Sequence, residues 1–216
     1  MRSNLQSPGK LSATKNKKNH LAAALPSLIT LLLLLLVWQI LVSVSHTSAR
    51  IISSPWGIWQ AMVVNRSSLL TAAYTTSCEA FIGFILAIGA GILLGVGLYV
   101  SHTFYASFYP LLVGAQTLPI ITIAPLFVIW FGYGSLGKIV LVAVFSLFPI
   151  AIQTCRGLIA VPRYFRDVAL TCGATSPWEL WHVHIRVAAR QIFSGIRISA
   201  TYIFATAATA DYIGAR

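Results

Sequence analysis

Charge is scarce in this chain. Of its 216 residues only 9% are Asp, Glu, Lys or Arg, and only 4 are acidic, against the roughly 25% charged that is usual in a soluble domain. So few carboxylates leave little general acid or base chemistry, and no Ser, His and Asp set is placed for nucleophilic catalysis. No GxxxxGK[ST] phosphate loop occurs, so the chain has no such ATP-hydrolysing site. The 3 cysteines, Cys78, Cys155 and Cys172, form no CxxC pair and read as packing residues. His182 and His184 have no carboxylate or cysteine at ligand spacing, so no metal is expected there. The chain is therefore read as a non-enzyme that holds no cofactor of its own.

What it has instead is apolar surface. Hydrophobic residues make up 57% of the sequence, more than a water-soluble fold can hide. The length suits one domain, and at about 20 apolar residues per span it leaves room for roughly five spans. The runs that qualify are 21–44, 69–100, 109–131, 138–159 and 192–213, preceded by a polar, basic tail over 1–20 that is too poor in apolar residues to pack. The first run, Leu21 to Val44, is too long for a signal-peptide core and reads as a retained anchor.

The formal charge is +11, and its distribution sets the orientation. Arg2, Lys10, Lys15, Lys17 and Lys18 precede the first run, and Arg156, Arg163, Arg166, Arg186 and Arg190 lie between the fourth and fifth. By the positive-inside rule both segments are cytoplasmic, as five alternating spans from an inside amino terminus require. Ser54 followed by Pro55 predicts a capped interfacial helix on the outer surface, with Trp56 and Trp59 at the headgroups. Gly83, Ala87, Gly91 and Gly95 recur every four residues and predict a packing stripe. Pro110, Pro119 and Pro125 predict a kinked third span beside a pathway.

The loop over 160–190 is patterned too strongly for a bare connector. Asp167 to Cys172 predicts a short helix that Gly173 ends. Ser176, Pro177 and Glu179 form a capping box for a second helix. That helix is expected to place Trp178, Trp181, Ile185 and Ala188 on one face and Glu179, His182, Arg186 and Arg190 on the other. An interfacial connector with snorkelling arginines fits the same pattern, whereas a loop tethered at both ends to a bilayer does not suit a DNA-reading helix-turn-helix.

Asp167, Val168 and Ala169, then Gly173 and Ala174, then Gly195 and Arg197 keep the spacing of the EAA loop, and on these residues the chain resembles the permeases of binding-protein-dependent ABC importers. Ile52 to Pro55, Gly83 and Phe84, Ala124 to Leu126, Trp130 to Gly134, and Phe148 with Pro149 resemble the branch that imports sulfonates, taurine, nitrate and related small molecules. The resemblance runs from about Ile51 to Ala215. It departs at Arg186 and Arg190, where the family usually has prolines, and at Glu79, where it often has a basic residue. It also implies one further membrane helix beyond Arg216, where this sequence stops.

The resemblance implies an all-α, polytopic transmembrane bundle of the type I ABC importer permease kind, with five spans present and a sixth expected. It implies a dimer, read as a homodimer, with a cytoplasmic ABC ATPase dimer that binds the ATP and an extracytoplasmic solute-binding protein. Asp167, Ala169, Gly173 and Ala174 match the loop that docks on the ATPase. Glu79, deep in the second span, is expected to face protein, because an ionised carboxylate at a helix centre costs about 2.5 to 3.5 kcal/mol in lipid. Gln116, Thr117, Thr122, Gln153 and Thr154 are polar groups in or near spans three and four; they suit a solute path, although helix-to-helix hydrogen bonds are the commoner use of such residues. A secondary transporter, a channel and a membrane scaffold are the competing readings.

Overall fold

The computed structural model describes residues 17–45, 52–132 and 134–214. Among them all regular structure is helical, as an apolar chain that must satisfy its backbone inside lipid requires. Packing divides the chain into two units that meet at Leu69 and Leu70.

In the first unit, α1 spans Lys17–Val44 and α2 Pro55–Val64. Helix α1 already includes the last residues of the expected tail, Lys17 to His20; the rest of that tail lies outside the described residues. Helix α2 starts as its sequence predicts. Ser54 is extended and its side chain accepts from the Gly57 N–H at 3.1 Å, with Pro55 in the first turn. The Trp56 N–H donates to Gln39 Oε1 of α1 at 3.2 Å, so a donor left over at the start of α2 is satisfied by a side chain from the neighbouring helix.

The helix α3, Arg66–Val100, starts in the first unit and runs through the second. At 1.5 Å per residue it is about 52 Å long, well beyond a hydrocarbon core of about 30 Å. The second unit adds α4 (His102–Ala115), α5 (Ile120–Phe131), α6 (Ser135–Ile159), α7 (Arg163–Thr171), α8 (Ser176–Glu179), a π-helical turn (Leu180–His184), α9 (Ile185–Ala200) and α10 (Ile203–Gly214).

Helix α6 is the centre of this unit. The small-residue stripe of α3 is buried against it: a Cβ added to Gly83 would stand 2.6 Å from the Ile139 carbonyl, and one on Gly95 would stand 2.6 Å from Thr154 Cβ. On another side Gly195 of α9 lies where a Cβ would meet Gln153 Cβ at 2.9 Å and the Pro149 carbonyl at 3.0 Å. In lipid, where apolar side chains gain little by leaving solvent, such close backbone approach is what holds helices together. Leu141, Val142, Ile150 and Leu158 of α6 are buried between these neighbours.

Two expected spans prove to be broken. The third is not one kinked helix from residue 109: α4 begins at His102, stops at Ala115, and α5 resumes at Ile120 with a bend of 104°. Pro119 has no N–H to continue α4 and takes the N-cap position of α5. The fifth is divided at Thr201 and Tyr202 between α9 and α10. Three described helices, α1 from Pro26, α3 and α6, are individually long and apolar enough to cross a bilayer, and the bent α4–α5 pair makes a fourth candidate.

Candidate functional site: a capped loop, a charge tie and a cavity at the helix breaks

The loop after α6 begins with α7, which starts four residues before the expected Asp167. Its end is defined by glycine. Gly173 has φ +83°, its N–H donates to the Leu170 carbonyl at 3.0 Å, and the Ala174 N–H reaches back to Ala169 at 3.0 Å. This pair of bonds is a Schellman motif, in which Ala169, Gly173 and Ala174 each have a structural task. Nothing lies within 4 Å of a Cβ built on Gly173, so the backbone angle, and not space within the chain, calls for glycine. Asp167 is exposed on α7 and Ala169 is buried beneath it.

The second loop helix differs from its expected pattern. Thr175, and not Ser176, is the N-cap, without a side-chain hydrogen bond, so the capping box is not formed. Glu179 is buried and faces His184 Nδ1, and the His184 ring packs on Tyr99 of α3 with centroids 5.5 Å apart. The reason lies in the π turn over Leu180–His184: a wider turn changes the phase between the residues before it and those after it relative to an ideal α-helix, so that Glu179 comes onto the buried face with His184 and Ala188. His182, Arg186 and Arg190 do remain exposed, and Ala188 is buried. Trp178 and Trp181 are half-exposed, with Trp178 stacked on His182 at 4.5 Å. Between α7 and α8 lies an open apolar groove of about 730 Å³ lined by Tyr164, Val168, Ala169, Gly173, Ala174 and Trp178.

At the other end of α6 three helices are tied by charge. Lys138 Nζ lies 3.0 Å from Glu79 Oε2 of α3 and 2.5 Å from Asp211 Oδ1 of α10, and Thr76 Oγ1 donates to Asp211 Oδ2 at 2.5 Å. Glu79 is 4% exposed, so its carboxylate faces protein and finds the ammonium. Lys138 and Asp211 drew no assignment from the sequence. Only their positions, 59 and 132 residues from Glu79, separate them from an obvious ion pair.

The remaining polar candidates divide. Gln116 and Thr117, in the α4–α5 break, line a cavity of about 420 Å³ together with Phe145, Phe148, Pro149 and Tyr202. Gln153 accepts from Gln191 Nε2 of α9 at 2.8 Å, a helix-to-helix bond. Thr154 is fully buried against Gly95, and Thr122 is exposed on α5 outside the cavity lining. The cavity wall owes its form to Pro149, which cannot donate to the Phe145 carbonyl four residues back. That carbonyl instead takes the Tyr202 hydroxyl at 3.5 Å, and Ser199 Oγ donates to the neighbouring Ser146 carbonyl at 2.8 Å. Residues at the α9–α10 break thus satisfy carbonyls at a proline inside α6, as a membrane interior demands.

A helical membrane bundle with broken helices around a cavity and a patterned loop at one end is the build of a transport permease. The chain belongs to the family of binding-protein-dependent transport system inner membrane components, which residues 87–216 match. Over 199 residues it is 29% identical to the formylaminopyrimidine transport permease protein of Halalkalibacterium halodurans, covering 89% of this chain and 77% of that one. A riboflavin transport system permease protein of Chloroflexus aurantiacus is 30% identical over 192 residues, 87% of this chain and 71% of the relative. A putative aliphatic sulfonates transport permease protein of Bacillus subtilis is 26% identical over 166 residues, 76% and 60% of the two chains. The chain is thus a multi-pass membrane permease of the ABC transporter class.

Proposed function

We propose that this chain forms the translocation path of an ATP-driven importer in the plasma or inner membrane, with its amino terminus cytoplasmic. It works as a homodimer, takes a small organic solute from an extracytoplasmic binding protein, and is driven by a cytoplasmic ATPase dimer that docks on the loop around Gly173. The observation that carries this reading is the exposed apolar groove between α7 and α8. Val168 is 60% and Tyr164 59% exposed on α7, which ends in the Schellman turn, in a segment that matches the family. A groove of that kind on a cytoplasmic loop suits an ordered protein partner. The relatives are named for solutes from an aminopyrimidine and riboflavin to aliphatic sulfonates and taurine, so the sulfonate and taurine part of the range expected from the motifs is only one part of that spread.

The Glu79, Lys138 and Asp211 tie is the one feature that favours a secondary transporter, since intramembrane charges are what ion coupling uses. The energy source separates the two readings. Co-expression with a cognate ABC ATPase and solute-binding protein, purification and reconstitution should give an ATPase that stays bound and solute uptake that needs ATP and no ion gradient. Val168→Asp on the exposed face of α7 should release the ATPase while the spans stay inserted. Retention of the ATPase by that variant, or uptake driven by an ion gradient without ATP, would sink the proposal.

A further inference from the structure

We infer that the cavity at the helix breaks takes an uncharged, planar heteroaromatic solute and not an oxyanion; this rests on the permease reading above. Three independent interruptions converge there: the gap between α4 and α5, Pro149 inside α6, and the gap between α9 and α10. Its volume of about 420 Å³ lies at the small end of the roughly 300–1,000 Å³ of ligand pockets.

The lining decides the chemistry. Phe145 and Phe148 meet edge to face, with centroids 6.1 Å apart, and Tyr202 stands opposite the same backbone through its bond to the Phe145 carbonyl. Flat π faces of this kind hold a flat ring. Gln116 supplies an amide, which donates and accepts, and Thr117 a hydroxyl; the Thr117 hydroxyl donates to the Gly114 carbonyl at 2.7 Å and keeps its acceptor lone pairs. An amide pairs with the ring nitrogens, amino groups and carbonyls of a heterocycle.

No charged side chain lines this cavity. Lys138 of α6 is held by two carboxylates, and Arg197, next to Ile198 in sequence, is exposed and outside the lining. The start of α5 has no side-chain cap and offers a fractional positive charge of about one half. That suits a ring carbonyl oxygen, and with no cationic side chain in the lining beside it it balances the full charge of a sulfonate or nitrate only in part.

The test uses the purified complex of this chain with its ATPase, before any binding protein is added. Lumichrome, a neutral three-ring heterocycle, serves as the fluorescent probe. It should bind saturably, with displacement by an aminopyrimidine and none by taurine or nitrate. Phe148→Leu and Gln116→Leu should each weaken lumichrome binding about tenfold, while the permease still inserts and retains its ATPase. Tyr202→Phe, which removes only a hydroxyl, gives a gentler arm should Phe148→Leu disturb folding. Displacement by taurine or nitrate, no saturable lumichrome binding, or affinity indifferent to all three substitutions overturns the inference. If the ATPase itself fails to co-purify, the permease reading fails as well, and the two failures are thereby told apart.

Discussion

At the residue scale, the chain's 4 acidic side chains have three different uses. Asp167 is exposed on the loop, Glu179 is buried against His184, and Glu79 and Asp211 share Lys138. A tie between three helices is strong only while it is complete. Removing its cation leaves two facing carboxylates, a change that typically costs about 3 to 5 kcal/mol for a buried pair, whereas replacing all members with apolar groups is often neutral. Lys138→Met should therefore lower the melting temperature of the detergent-purified protein sharply. Glu79→Leu with Lys138→Met and Asp211→Leu should recover most of that loss. Fluorescence-detected size exclusion after a heat step measures both, and a stable Lys138→Met protein would show that the tie carries no structural weight. Asp211 is a third exposed, so the cost falls mainly on the Glu79 arm.

At the element scale, the glycines of α3 give a contrast within one helix. A Cβ on Gly95 would stand 2.6 Å from Thr154 Cβ and 2.7 Å from the Ala151 carbonyl, while one on Gly89 would meet nothing within 4 Å. Gly95→Leu should abolish monodisperse protein and Gly89→Leu should leave the yield nearly unchanged; equal yields would refute close α3–α6 packing. Gly173 follows another rule, because its constraint is the positive φ. Gly173→Ala should cost about 1 to 2 kcal/mol and Gly173→Asn less, since Asn tolerates that conformation, and protease cleavage of the loop reads the difference. The sequence made such local features legible. The stripe at Gly83, Ala87, Gly91 and Gly95, the Ser54 cap and the glycine end of α7 depend on neighbours within a few residues, and each is found. The misses depend on distant partners. The burial of Glu179 follows from the π turn and from Tyr99, about 80 residues away in sequence, and neither has a local signal. The break at Thr201 and Tyr202 has no proline or glycine to announce it. It is supported by Tyr202 and Ser199 reaching carbonyls of α6, contacts that only the folded bundle creates.

At the scale of the whole molecule, α6 separates two chemically different ends. Its first residues carry Lys138 and the charge tie, and its last lead into the loop that holds Arg163, Arg166, Arg186 and Arg190. On the orientation proposed above, in which the positive-inside rule puts that arginine-rich end in the cytoplasm, a helix of 25 residues, about 37 Å at 1.5 Å per residue, is long enough to set the charge tie at the opposite face. This orientation makes the native Cys172 a reporter, because it is exposed and sits beside Gly173. In a background with Cys78 and Cys155 changed to Ser, a membrane-impermeant maleimide should leave Cys172 unlabelled in intact cells and label it once the membrane is permeabilised. With Cys172 also changed to Ser, a cysteine placed at Ser53 should react in intact cells, and cysteines at Ser12 and Thr175 should not. The sites include one expected outside and three expected inside, and Cys172 is read again after permeabilisation, so poor accessibility of one site cannot imitate the whole pattern. Labelling of Cys172 from outside would invert the bundle, put the groove between α7 and α8 out of reach of any cytoplasmic ATPase, and remove the basis for an ATP-driven importer.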